Sequence, residues 1–167
     1  MERAKLVAKI EDAFKGVLLG NGIGLYETEA IDNYANDKKM LQARLNDRDS
    51  WKKWTDVPVE VIEVSHSALC FVDAEGMRFL LPAFMKYAVM NYESSNSASI
   101  DSPIYALFNN PVFAQTDIDE YFNHQHYETF AKFLKFMVLV AGEEYVDSFC
   151  ASQAYEKHWY KYDTDMA

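Results

Sequence analysis

Residues 68–92, ALCFVDAEGMRFLLPAFMKYAVMNY, constrain the fold more than any other stretch. Two apolar runs, Ala68 to Val72 and Met77 to Leu81, flank Asp73-Ala74-Glu75-Gly76. An aspartate opening a turn and a glycine closing it suit a type I turn with Gly76 at positive φ, so the two runs predict a β-hairpin. Leu69 and Phe71 fall on one face of the first run, Cys70 and Val72 on the other, and Arg78 is the main polar interruption of the second. Strands apolar on both faces must be covered on both. Pro82 cannot donate to a sheet ladder and suits the first turn of a helix, which is predicted over Ala83 to Tyr92. Leu81 offers no side-chain cap. The first N–H groups of that helix are then left to water, to a carboxylate from another segment, or to a ligand.

The flanking regions read as helices. Glu2 to Val17 places Leu6, Ile10, Ala13, Phe14 and Val17 on one stripe. Gly20-Asn21-Gly22-Ile23-Gly24 follows a helix instead of a strand, so it reads as a C-cap and turn and not as a phosphate cradle. A second helix is predicted from Leu25 to Ala35, with Tyr26, Ala30, Ile31 and Tyr34 inward, and a third from Asp37 to Leu45. Val59 to Val64, VEVIEV, carries charge on both faces and reads as an edge strand, and Ile104 to Phe108 as a further strand. The segment 93–102, ESSNSASIDS, reads as a mobile loop. A helix beginning at Thr116 or at Asn123 carries Phe130, Phe133, Leu134, Met137, Val138 and Ala141. The last helix is predicted from Glu143 to Tyr160, with Val146, Phe149, Cys150, Ala154 and Trp159 as its core positions, and residues 161–167 should fray. Helices, then strands, then helices predict a single α+β domain over residues 1–167. Its small antiparallel sheet of three to four strands, centred on hairpin 68–81, is covered by the N-terminal and C-terminal helices.

Three groups of positions resemble the bacterial DUF6714 family. The first is Ala43-Arg44, Asp47, Trp51, Trp54 and Pro58. The second is Leu69, Phe71, Asp73, Gly76 and the run Arg78-Phe79-Leu80-Leu81-Pro82-Ala83-Phe84; the third is Phe122-Asn123, Gln125, Phe130, Phe133-Leu134 and Phe136. They span most of the chain but are chiefly aromatic, proline and apolar, so the resemblance implies an architecture and leaves activity open. The polar insert Ser94 to Ser102 departs from the family pattern.

Charge narrows the partners. Residues 1–58 hold ten Lys/Arg and ten Asp/Glu, whereas residues 59–167 hold six and sixteen, so the whole net charge of −10 arises after residue 58. An acidic surface repels phosphate backbones and anionic lipid, which argues against nucleic acid and membrane and admits a basic protein partner. No run approaches the roughly 18 apolar residues of a membrane span. The N-terminal segment lacks a signal-peptide core, so a soluble cytoplasmic protein is expected. Cys70 and Cys150 are expected as buried free thiols.

No catalytic constellation emerges. His66 lies in a serine-flanked turn without a nucleophile elbow. His124-Gln125-His126 has the wrong spacing for a helical metal pair, so the histidines read as surface or capping residues. No residue pattern points to a metal or a cofactor. The one knot of charge beside aromatics is Arg44, Asp47, Trp51 and Trp54, to which Arg78 is added as a candidate contact. Arg44 and Asp47, three apart, could pair on one helical turn. Two readings follow: a non-enzymatic protein–protein interaction module, regulatory or immunity-like, with an acidic C-terminal portion; or a small-ligand-binding protein or enzyme with a pocket around Arg44, Asp47, Trp51, Trp54 and Arg78. The oligomeric state is not legible in the sequence.

Overall fold

The computed structural model describes residues 2–164, and among these there is no strand. Eight α-helices are joined by short 3₁₀ and π turns: α1 (Arg3–Ala13), α2 (Leu25–Asp32), α3 (Asp37–Ser50), α4 (Val59–Val64), α5 (Ala74–Asn91), α6 (Ser102–Asn109), α7 (His124–Phe136) and α8 (Ser148–Ala154). The α+β expectation gives way to an all-α architecture.

The correction centres on residues 68–92. Ala68–Cys70 is one 3₁₀ turn, and the second apolar run, Pro82 and the predicted helix merge into α5. Asp73 opens that helix instead of a hairpin: its carboxylate accepts the Gly76 N–H at 2.8 Å, an N-cap. Pro82 sits inside the helix, where it removes a backbone donor at a cost of about 3 kcal/mol. Burial offsets this. Thirteen of the eighteen residues of α5 are buried, and Phe79, Leu80, Leu81, Phe84 and Met85 are 0 % exposed. Each large apolar side chain so placed contributes about 1.5–3 kcal/mol. A helix apolar all round is a central helix. Since no helix begins at Pro82, the free N–H groups expected there do not exist.

Around α5, α1 packs on α5 and α7, α6 packs on α5 and α8, and α7 packs on α8. Phe14, Phe122 and Phe130 meet at the α1–α7 side of the core, with the Phe14 ring stacked on His126 at 4.3 Å. The pair α2–α3 forms a helical hairpin at one end. Trp54, in the turn after α3, is buried and donates its indole N–H to Phe14 O at 3.0 Å, tying that hairpin to the end of α1.

Both other predicted strands are helical. VEVIEV is α4, with only Ile62 fully inward, and Ile104–Phe108 lies within α6, whose Pro103 occupies the first turn where its missing N–H costs nothing. Asn123, not Thr116, caps α7, and its side chain accepts the His126 N–H at 3.0 Å. The last helix starts later than predicted, at Ser148 under an Asp147 cap, and ends in a π turn over Tyr155–Trp159. Tyr34 is 95 % exposed, not inward. In the serine-rich segment, Ala98–Ile100 forms a 3₁₀ turn, the Ser97 hydroxyl donates to Glu63 O, and the buried Ser99 hydroxyl donates to Ile62 O at 2.7 Å. In the tail, Asp163 is buried and accepts from Lys135 at 2.8 Å and the Tyr155 hydroxyl at 2.7 Å, whereas residues 165–167 lie outside the described part. Cys70 is exposed instead of buried, Cys150 is half-buried, and both are free thiols. No described helix is long and apolar enough to cross a membrane.

Candidate functional site

The charged knot of the sequence is a junction between backbones. Gly24 begins α2 without a side chain to cap it. Asp47, from α3, takes that role across space: it accepts the Tyr26 N–H at 2.8 Å and the Glu27 N–H at 2.9 Å, and the Trp51 indole N–H at 3.2 Å. These donors are the orphan groups of a helix N-terminus, whose dipole also favours a negative charge. Asp47 is 0 % exposed, and burial pushes its carboxyl up from the usual range against the N–H groups that favour its charge. The fit is close: a Cβ on Gly24 would stand 2.4 Å from the Asp47 carboxyl carbon.

The rest of the glycine loop is held in the same way. Ile23 N–H donates to Asp73 at 3.0 Å, the same carboxylate oxygen that caps α5. Arg44 donates to Asn21 O and Arg48 to Gly22 O, each at 2.9 Å. The loop is a joint between α2, α3 and α5, and these backbone N–H and C=O groups are spent on the protein itself. Arg44 and Asp47 do not pair. Arg44 instead lies 4.0 Å from Glu27, whose carboxyl burial pushes up while Arg44 opposes it.

Of the five candidate contacts, Asp47 and Trp51 are hydrogen-bonded in the core side of this junction, with Trp51 stacked on Tyr26 at 5.5 Å. Trp54 faces α1, and Arg44 sits on the outer side of the loop. Arg78 belongs to different surroundings. It lines a cleft of about 500 Å³ together with Lys15, Val17, Leu18, Glu75 and His126. Its Nε is buried without a hydrogen-bond partner among the described residues, and its other contacts are long: 3.5 Å to Tyr121 O and 4.0 Å to Glu75. His126 in that cleft is fully engaged. Its Nδ1 accepts the Asn123 N–H at 3.1 Å, which leaves Nε2–H to donate to Ala13 O at 3.0 Å. Burial holds the imidazole below its usual pKa, and the Arg78 charge acts in the same direction. It is a neutral capping histidine, not a base or a ligand.

A second surface was not legible in the sequence. Met137–Ala141 forms a π turn that packs on α8. Gly142, at φ +75°, then reverses the chain. The result exposes Leu139 (71 %), Val140 (47 %), Tyr145 (41 %) and Phe149 (73 %) within eleven residues. Phe149 was predicted as core and is not. Glu143 and Glu144 are exposed beside them. Asp147 caps α8 through the Cys150 N–H, which holds its carboxyl low, and accepts the Tyr105 hydroxyl at 3.1 Å. Burial, with Asp147 adding to it, pushes the Tyr105 phenol up to about 12. One signal was available in the sequence: residues 136–156 contain Glu143, Glu144, Asp147 and Glu156 and no Lys, Arg or His.

The sequence profile of DUF6714, a family of unknown function, matches residues 2–163, and the chain belongs to that family. No curated protein and no solved structure matches the chain.

Proposed function

We propose that this DUF6714 member is a non-enzymatic protein–protein interaction module that takes a basic partner on the surface formed by residues 139–149. The observation that carries the reading is the exposure of Leu139, Val140, Tyr145 and Phe149 beside Glu143, Glu144 and Asp147. Large apolar side chains grouped in water mark a surface that is covered in use. An apolar centre with a charged margin is the anatomy of a protein interface. The carboxylates steer a cationic partner and set orientation, while the apolar side chains hold it. The balance of charge along the chain agrees, since residues 136–156 carry acid and no base. Such a module would act in the cytoplasm, in a regulatory or immunity-like role.

The test is affinity capture from native lysate with the wild-type chain and with a Leu139→Ser/Phe149→Ser variant, at low and at moderate salt. The reading expects one basic protein retained by the wild type, released as salt rises, and absent from the variant. Equal retention by the variant, or no specific partner at low salt, overturns it.

A further inference from the structure

We infer that the Arg78 cleft binds a small monocarboxylic acid with an apolar body. A guanidinium carries five N–H donors in a planar fork and seeks two parallel acceptors. In Arg78 the buried Nε cannot serve a ligand, but the terminal pair is weakly engaged: Nη1 lies 3.5 Å from Tyr121 O and Nη2 lies 4.0 Å from Glu75. The group is nevertheless held in a concave site, at 26 % side-chain exposure, against the Tyr121 ring. A partly desolvated, under-bonded arginine in a cleft of about 500 Å³ is complementary to an anion of metabolite size.

The cleft also says which anion. Lys15 and Arg78 contribute two positive charges and Glu75 one negative, and His126 is neutral because its Nδ1 accepts a backbone N–H. The net balance of one positive charge matches a monoanion, and Glu75 repels a phosphate dianion more strongly. Beside Asn123, the remaining wall has an apolar part: Val17 is partly buried and Leu18 stands 60 % exposed. An exposed leucine beside a weakly engaged guanidinium suits an amphiphile that presents a carboxylate inward and hydrocarbon along the wall. This site is separate from the 139–149 surface and stands or falls without it.

Titration of isotope-labelled protein with hexanoate, followed by amide chemical shifts, tests it. Saturable shifts are expected at Gly16, Leu18 and Gly20, with none from hexan-1-ol and weaker ones from inorganic phosphate. Arg78→Gln should weaken hexanoate roughly tenfold or more, the loss of a charge-assisted hydrogen bond. Arg78→Lys, which keeps the charge and loses the fork, should fall between. Leu18→Ser, at an exposed position that does not endanger folding, should weaken hexanoate and leave phosphate unchanged. Absence of shifts, tighter binding of phosphate or the alcohol, or unchanged hexanoate affinity in both Arg78→Gln and Leu18→Ser overturns the assignment.

Discussion

Two regions of the molecule treat polarity in opposite ways. At the α2–α3–α5 junction, carboxylates are drawn inside and consumed by backbone N–H groups: Asp47 holds the start of α2, and Asp73 holds both the glycine loop and the start of α5. At residues 139–149, only Asp147 is taken up as a helix cap, while Glu143 and Glu144 stay in water and apolar side chains join them there. The first region has the composition of a binding site and the geometry of a joint. The second has the composition of an ordinary helix and the geometry of a docking surface. Charge beside tryptophan is therefore a poor guide to function when a neighbouring helix begins at a glycine. That helix needs an acceptor from elsewhere, and an aspartate on the next helix is the nearest solution.

If the junction is structural, breaking it should unfold the protein. Asp47→Ala leaves the Tyr26, Glu27 and Trp51 N–H groups without their acceptor, an expected loss of about 3–5 kcal/mol in urea denaturation. A loss below about 1 kcal/mol would mean that water replaces the carboxylate and that the joint is looser than described. Gly24→Ala sharpens the same point, because its Cβ would press on the Asp47 carboxyl. It should cost about 1–3 kcal/mol by overpacking, read as a lowered thermal midpoint. An unchanged midpoint would contradict the close approach.

His126 gives a smaller, pH-dependent effect on the side of α7. Its pKa is lowered in the folded state, so the unfolded chain takes up a proton first, near pH 6.5. Stability from this residue is complete above that pH and is lost as pH falls from there toward the lowered folded value. His126→Gln retains an acceptor for the Asn123 N–H, as glutamine does at that position of a capping box, and cannot titrate. The variant should therefore lose less stability between pH 7 and pH 5 than the wild type, measured by urea midpoints across that range. An identical slope would place the acid sensitivity elsewhere.

The same contrast explains what could be read from the sequence. Where polar residues alternate with apolar ones at helical spacing, as around Leu6 and Ile10 of α1 or Phe130, Phe133 and Leu134 of α7, the period was clear and the helices are present. In α5 the apolar residues surround the axis, so the period vanishes. Asp73 and Gly76 then pass for a turn, and Pro82 for a boundary, although the aspartate is a helix cap and the proline an interior residue. The short helices α4 and α6 fail for a related reason: over six or eight residues, alternation and helical spacing are hard to distinguish. Phe149 was misplaced by phase. A helix drawn from Glu143 puts it inward, but Asp147 starts the helix at Ser148 and turns Phe149 to solvent. The joint around Asp47 depends on a contact between α2 and α3 twenty residues apart, which no local pattern records.

The most direct test sets the two regions side by side by urea denaturation of Asp47→Ala and Leu139→Ser/Phe149→Ser. The account predicts a midpoint far below the wild type for the first. For the second it predicts an unfolding free energy within about 0.5 kcal/mol of the wild type, because the substituted side chains already lie in water. A surface variant that unfolds as early as Asp47→Ala would show that residues 139–149 serve the fold, and the division between joint and docking surface would fail.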